Sequence, residues 1–513
     1  MLLVLIEVGL HLGGYGTRAD FFVPIEGQDA LTTNPNFARQ FFRPALARLP
    51  QRIRVEEEKS SDVTRIVVLG GSAAMGEPEP SFSFSRVLDV MLGRMYPNRR
   101  FEVVNTGMAT INSHVVRLIA QELTRVGPDI VLIYMGNNEV VGPYGAGTVF
   151  GSYSPSLTLI RAGIWLRQFR LGQLLESVAR WVGGASQYVN EGQGMALFRG
   201  QTVTADDPRL ERIYSHFEQN LYDIISLAEE AGALVVVSTV ATNTADHAPF
   251  ASLFGQEHSN PLTWGQLYAN GVGHEEAGDT LAAIAAYEMV GRVDSTHAEL
   301  QYRLGQLYRD QGRMGEARER LIRARDLDAL RFRADSHINA IVRQVSSERG
   351  VTLVDSDRSL NAEDETGLQL EGASLFHEHV HLDDAGNYAV ASGIADQLTV
   401  LLGEPANERP TPDTCASDLG LFAWERYRLY ASVAGLMERA PFTNQYDFLV
   451  RLKRSQNRLN ALRAEGTSDQ AFASAGQAYL DAMSRRPNDL AIRQNYARFD
   501  QASGALVEAA SPR

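Results

Sequence analysis

An α/β fold built on a parallel sheet is predicted by three observations. Apolar runs of strand length recur along the chain, helical patterns fill the gaps between them, and the residues that follow the strands are small and polar. Five runs stand out: RIVVL (65–69), FEVVN (101–105), DIVLIYM (129–135), ALVVVSTV (233–240) and VTLVD (351–355). Between them FSRVLDVMLGRMY (84–96), SHVVRLIAQELTRV (113–126), RIYSHFEQNLYDIISLAEEAG (212–232) and DSHINAIVRQVSSERG (335–350) carry helical periodicity. The last two close on a glycine, a common helix C-terminus.

The 513 residues exceed one ordinary domain, and 44% hydrophobic with 21% charged residues is the composition of a globular protein with a large core. A formal charge of −14 argues against nucleic acid as a partner, because it repels a phosphate backbone and the arginines are scattered over several helices. The single cysteine, Cys415, excludes an internal disulfide and leaves the compartment open, the cytoplasm included. The opening MLLVLIEVGLHLGGYG is too short for a membrane span and lacks the basic start and cleavage site of a signal peptide. We read it as the end of a membrane anchor, with Glu7 and His11 at the interface, against the alternative of a buried N-terminal helix. That reading places the protein outside the cytoplasm, at a membrane.

Ligands of parallel sheets bind at the carboxyl ends of the strands. After the first strand comes GGSAAMGE with Ser72, after the second NTGMATINS with Gly107, and after the third GNNEVVGPYGAGTVFG with Asn138. After the fifth comes FHEHVHLDDAGNYAVA, in which Asp383 or Asp384 caps a final helix running to about Leu402, so that Glu378 and His381 fall just before a helix start at the same edge.

These four blocks, in this order and spacing, resemble the SGNH hydrolases, the GDSL-like esterase superfamily. Ser72 falls on that family's nucleophile, Gly107 on its block-two glycine, Asn138 on its block-three asparagine, and Glu378 with His381 on its Asp-x-x-His pair. The resemblance covers residues 63–142 and 334–402. It implies a flavodoxin-like three-layer sandwich with a parallel sheet, and cleavage or transfer of ester-linked acyl groups with no cofactor and no metal.

The chemistry of the residues agrees with that. A serine hydroxyl needs a base to take its proton and donors to neutralise the carbonyl oxygen. His381 would be the base, with a pKa near neutrality, and Glu378 would fix its tautomer. The amides of Ser72 and Gly107 and the Asn138 side chain would serve the oxyanion. Gly71 would let the Ser72 amide approach substrate, and the start of a helix would add its dipole. Three residues depart from the family pattern: Gly71 and Glu139 replace aspartates beside the serine and the asparagine, and Glu378 replaces the aspartate of the dyad. The extra methylene of Glu378 leaves open whether it or a backbone carbonyl orients His381.

Other readings of the same residues are weaker. GGSAAMGE lacks the Lys-Ser/Thr of a P-loop and the G-x-G-x-x-G pattern of a dinucleotide site, so no nucleotide is expected. His377, His379 and His381 alternate, and in an extended segment they would point to one side and could hold a metal, yet the family match needs only His381. GPYGAGTVFG reads as a flexible loop beside Asn138.

Between the fourth and fifth strands lies an insertion with a repeat. Leu304, Gly305, Tyr308, Ala317 and Leu321 fit the tetratricopeptide template, while Gln301 and Ala329 miss its Trp and Pro. Ala283 with Tyr287 and Ala317 with Leu321 recur roughly 34 residues apart, the expected period. A third instance, Ala475, Tyr479, Ala482 and Pro487, lies near the C-terminus. The predicted organisation is therefore an N-terminal hydrophobic segment (1–16), a hydrolase domain in two parts (17–260 and 331–403), all-α tetratricopeptide-like segments as an insertion (261–330), a proline-rich linker (404–420) and a C-terminal helical module (421–513). Residues 156–184 form a further amphipathic segment with Arg161, Arg167 and Arg170 among Trp165, Phe169 and leucines, read as core packing in preference to a membrane surface. The function expected is a serine esterase acting on an ester-bearing substrate, with repeats that recruit a protein partner or the substrate. An acyltransferase onto a glycan and an inactive adaptor are the alternatives.

Overall fold

The computed structural model describes all residues except 43–45, 183–190, 255–260, 361–362, 365–366, 369–371, 373 and 511–513. Its centre is a five-stranded parallel sheet: β1 (Val63–Gly70), β2 (Arg100–Asn105), β3 (Ile130–Tyr134), β4 (Leu234–Ser238) and β5 (Thr352–Val354) in the order β2-β1-β3-β4-β5. Ile66 of β1 pairs with Val103 on one side and Ile130 on the other, and Val236 of β4 pairs with Thr352. β3 is buried along its whole length, as its unbroken apolar run requires. Helices Phe84–Met95 and Asp384–Leu402 pack together as one layer, and Ser113–Ala120, Arg209–Glu230 and Ser336–Arg349 as another. The chain is thus an α/β three-layer sandwich of flavodoxin-like strand order with all-α segments added. Because the chain leaves β1 for β2 and returns to the far side as β3, the crevice between the ends of β1 and β3 is the switch point at which such sheets bind ligands.

Helix boundaries follow local chemistry. The side chain of Asp335 accepts from the Ile338 amide and starts Ser336–Arg349, and Gly350 ends it at φ 64°. Asp383 caps Asp384–Leu402 by accepting from the amides of Ala385 and Gly386, both at 3.1 Å. Ahead of the sheet lies a small antiparallel one that the sequence did not announce, Phe22–Pro24, Ala30–Thr33 and Arg54–Glu56, whose strands of three or four residues are too short to display an alternation.

The insertion consists of two helical hairpins, Pro261–Glu276 with Thr280–Val293 and Ala298–Asp310 with Met314–Leu327. Ala283, Tyr287, Leu304, Tyr308 and Ala317 are buried in their shared core. The two ends of the insertion meet: the Ala329 amide donates to the Ala251 carbonyl at 2.9 Å, and the Asp328 carboxylate accepts from the amides of Phe250 and Ala251.

Two expectations are corrected by packing. The stretch 404–420 is no simple linker. Pro412 opens a helix, Pro412–Leu419, capped by Thr411, and Cys415 and Leu419 enter the main core; proline is tolerated at a first helical turn, where its missing N–H costs nothing. The loop GPYGAGTVFG is not slack. Most of 140–148 is buried, the Gly147 amide donates to the Val140 carbonyl at 2.9 Å, and Gly142 to Asn138 at 2.7 Å.

Candidate active site

The four blocks arrive at one edge of the sheet by different routes. β1 ends at Gly70, Gly71 is the N-cap, and Ser72 opens a single helical turn, Ser72–Met75. A Cβ on Gly71 would come within 3.2 Å of Asn138 Nδ2, so the bare glycine lets the asparagine of the β3 loop approach the serine turn. One turn has almost no macrodipole. The expected dipole at Ser72 therefore reduces to the first amides of that turn, which lack partners within it.

On the other side stands the hairpin before the last helix, closed by a bridge between Phe376 and Leu382 and by the His377 amide donating to the His381 carbonyl at 2.8 Å. His381 Nε2 lies 2.8 Å from Ser72 Oγ. Its Nδ1 contacts Glu378 Oε1 directly. That carboxylate is 3% exposed and is held by two backbone amides, His379 N on Oε2 at 2.7 Å and His381 N on Oε1 at 3.0 Å. The two amide bonds draw the long side chain back toward its own turn, where it reaches the imidazole. Burial pulls the His381 pKa below the ordinary histidine value, with the Glu77 carboxylate, 3.9 Å from Nε2, acting in the opposite direction. The base is thus set lower than the near-neutral value expected from sequence.

Asn138 and Gly107 differ in what they offer. The Asn138 side chain faces the serine turn and donates to the Ile111 carbonyl at 3.1 Å, a bond that a substrate oxygen can replace. The Gly107 amide instead donates to Asn105 Oδ1 at 2.9 Å, and a Cβ there would meet the Met75 amide nitrogen at 2.6 Å. Gly107 is brought to the site, but as the residue that lets the serine turn pack against the β2 loop; its expected service to an oxyanion is opposed by the bond its amide already makes.

Glu139 is a contributor that sequence reasoning passed over except as a departure. Its buried carboxylate accepts from the Ser113 amide at 2.9 Å and the Ser113 hydroxyl at 2.7 Å, and burial raises its pKa to about 7. It ties the residue after Asn138 to the start of helix Ser113–Ala120. The signal was available: a lone acid beside the asparagine, and a serine opening a helix.

The histidine row does not gather three rings on one point. Because 377–381 turns and is not extended, His379 and His381 set their Nδ1 atoms on opposite oxygens of Glu378, the His379 ring lying among Phe250, Phe332 and Phe442, while burial takes His377 down to a pKa of about 4. Among the described residues no group of three or more His, Cys, Asp or Glu side chains is placed to hold a metal ion.

A cavity of about 580 Å³ opens beside His381, lined by Glu77, Pro78 and Glu378 and, across from them, by Ala431, Val433 and Leu436 with Arg439. That opposite wall belongs to the helix Ala423–Met437 and its end, in the C-terminal module. The insertion contributes none of these lining residues.

No protein-family model matches this chain, and no curated protein matches it. Among solved structures it is similar to an acetyl xylan esterase (12% identity, 65% of this chain and 98% of that one, TM-score 0.29). It is likewise similar to the lipase/acylhydrolase from Enterococcus faecalis (10% identity, 66% and 96%, TM-score 0.29) and a GDSL-like lipase from Bacteroides thetaiotaomicron (9% identity, 68% and 93%, TM-score 0.29).

Proposed function

We propose that this protein is a serine esterase that cleaves an ester-linked acyl group through an acyl-enzyme on Ser72. The observation that carries the reading is the 2.8 Å contact of His381 Nε2 with Ser72 Oγ, with the Glu378 carboxylate on the opposite ring nitrogen. In this scheme Oγ attacks the ester carbonyl while its proton passes to Nε2. The oxyanion is met by the Ser72 amide and the Asn138 side chain, and collapse expels the alcohol, which takes the proton from Nε2. Water, deprotonated by the same nitrogen, then attacks the acyl-enzyme and releases the acid. Glu378 keeps the Nδ1 proton in place and stabilises the imidazolium.

Recruitment of a protein partner or of a macromolecular substrate is assigned to the helical hairpins, and the protein to a membrane outside the cytoplasm. Support for the first is that the insertion joins the hydrolase at closely spaced ends and does not line the cavity. The test is fluorophosphonate labelling followed by peptide mapping, together with turnover of a panel of p-nitrophenyl esters. Labelling at Ser72 with burst kinetics supports the scheme. Absence of labelling and of turnover returns the protein to the adaptor reading, and a burst that resolves faster with added polyol than with water identifies a transferase.

A further inference from the structure

Glu378 sits between two histidine rings, and the proposed scheme uses only one of them. His381 Nδ1 meets Oε1, and His379 Nδ1 meets Oε2 of the same carboxylate. The His379 ring is buried, and its Nδ1 is sealed from solvent with no partner among the described residues but that oxygen. Burial holds the His379 pKa well below the ordinary histidine value, with His381, Arg333 and Arg451 nearby acting in the same direction, so the ring is neutral and carries a single proton. A nitrogen lone pair facing a buried carboxylate oxygen would be repelled. The proton therefore belongs on Nδ1, between the ring and Oε2.

The surroundings keep that ring from turning away. It lies edge to face with Phe250, Phe332 and Phe442, at centroid distances of 5.1, 5.9 and 5.8 Å, and His247 closes a further side at 5.6 Å. These rings come from the loop after β4, from the segment after the insertion and from the C-terminal module. The backbone behind the pair is held as well: the Asn243 amide donates to the His379 carbonyl at 2.9 Å, and Asn243 Nδ2 donates to the Glu378 carbonyl at 3.0 Å.

Fixing at both ends matters because a glutamate side chain turns about three bonds, and a carboxylate held at Oε1 alone would be free to swing off the His381 ring. The amide and ring of His379 serve Oε2 as the amide and ring of His381 serve Oε1. We propose that His379 is a positioning residue of the reaction: its Nδ1–H holds Glu378 Oε2 and so keeps Oε1 on the ring of His381 while that ring takes and returns the proton of Ser72. The inference rests on the esterase reading of the site. The aromatic chamber sets the plane of the His379 ring, so the loop after β4 and the C-terminal module reach the proton transfer through it.

Two variants of the full chain separate the donor from the packing. In His379→Asn the amide NH2 takes the place of Nδ1 and the chamber loses its ring; in His379→Phe the chamber keeps a ring and the donor is lost. With p-nitrophenyl acetate, His379→Phe should lose about 10- to 100-fold in kcat with KM within about threefold, the effect of removing a hydrogen bond to a buried charge, and His379→Asn should stay within about fivefold of the wild type. Fluorophosphonate labelling of Ser72 should slow in the same order. Nitrogen NMR of the wild type with isotope-labelled histidine, assigned by the signals missing from His379→Asn, should show His379 protonated on Nδ1. A role in packing alone reverses the ranking, with phenylalanine tolerated and asparagine impaired, and that result overturns the proposal, as do equal rates in the two variants. A His379 proton on Nε2 overturns it too, and because the tautomer is read on the wild type it decides even where a variant fails to fold. A wild type that neither labels nor turns over ester sinks the esterase reading and the proposal together, whereas an active wild type matched by His379→Phe sinks the proposal alone.

Discussion

Replacing Glu378 by glutamine separates a working triad from a Ser72–His381 dyad. Both carboxylate oxygens face donors: Oε2 accepts from the His379 amide and lies against the His379 ring Nδ1, and Oε1 accepts from the His381 amide and ring. Glutamine has one acceptor oxygen for these two places. With its oxygen on the His381 side, its NH2 confronts the His379 N–H; turned over, it confronts the protonated Nδ1 and favours the tautomer that cannot accept from Ser72. A hydrogen bond to a charged group contributes about 1.5–3 kcal/mol, roughly 10- to 150-fold in rate, and an aspartate-to-asparagine change in the Ser-His-Asp template costs about 10⁴ because the tautomer is wrong. We expect kcat/KM for p-nitrophenyl acetate to fall by about 10² to 10⁴, with fluorophosphonate labelling slowed to match. The melting temperature separates a catalytic loss from a folding one. A folded Glu378→Gln enzyme within threefold of the wild type, beside an inactive Ser72→Ala enzyme, would refute the triad and leave the orientation of His381 to the backbone.

Ser72→Ala should abolish both ester cleavage and labelling while the melting temperature stays within about 2 °C, since only a hydroxyl at a turn is lost. Asn138→Ala should lower kcat by about 10² to 10³, the cost of one oxyanion donor, with a smaller change in KM. Activity requires neutral His381, so kcat/KM should rise with pH through a midpoint below the ordinary histidine value, because burial outweighs Glu77; Glu77→Gln should move that midpoint lower still, and chelator should leave the profile unchanged. Asp328→Ala should destabilise by about 3–5 kcal/mol, read by denaturant melts, because it leaves the buried Arg333 without its carboxylate and the amides of Phe250 and Ala251 unpaired. Exchange of residues 261–323 for a short Gly/Ser linker, with Asp326 and Asp328 kept, should spare small-ester turnover and remove partner capture; a folded variant without turnover would assign the insertion to the pocket.

The sheet and its edge were legible because each rests on a local signal. Apolar runs of strand length marked all five strands, and the strand-end rule put Ser72, Gly107 and Asn138 in one crevice with Glu378 and His381 at the same edge. The route of Glu378 to His381 was not legible. A side chain one methylene too long reaches the same nitrogen only because two amides of its own turn draw it back, and that depends on the Phe376–Leu382 closure, a contact between residues whose types carry no pairing code. Gly107 shows the reverse case. Its block position suggested a donor, and the acceptor that occupies its amide, Asn105 Oδ1, sits two residues away in plain view, where an Asn-x-Gly turn could have been read.

The C-terminal helices pose the harder problem, because their apolar spacing suggested a module tethered by a linker and the structure seats them against the catalytic edge. Phe442 enters the ring cluster that holds His379, and the neighbouring contacts are largely charged: Arg428 and Arg498 on Glu79 at 3.0 and 2.6 Å, Arg426 on Asp384, Arg458 on Asp383. Each of these arginines also suits an exposed helix face, so its partner, hundreds of residues away in the case of Glu79, leaves no trace in local pattern. Exposed pairs of this kind contribute little singly. Glu79, with two arginines on one largely buried carboxylate whose pKa is lowered despite burial, is the exception. It lies two residues from Glu77 in the cavity wall, so the module that closes the cavity is anchored next to the wall it faces. Glu79→Gln should therefore change KM for bulky esters more than for acetate. Equal effects on both would mean that the contact only adds stability and does not shape the pocket.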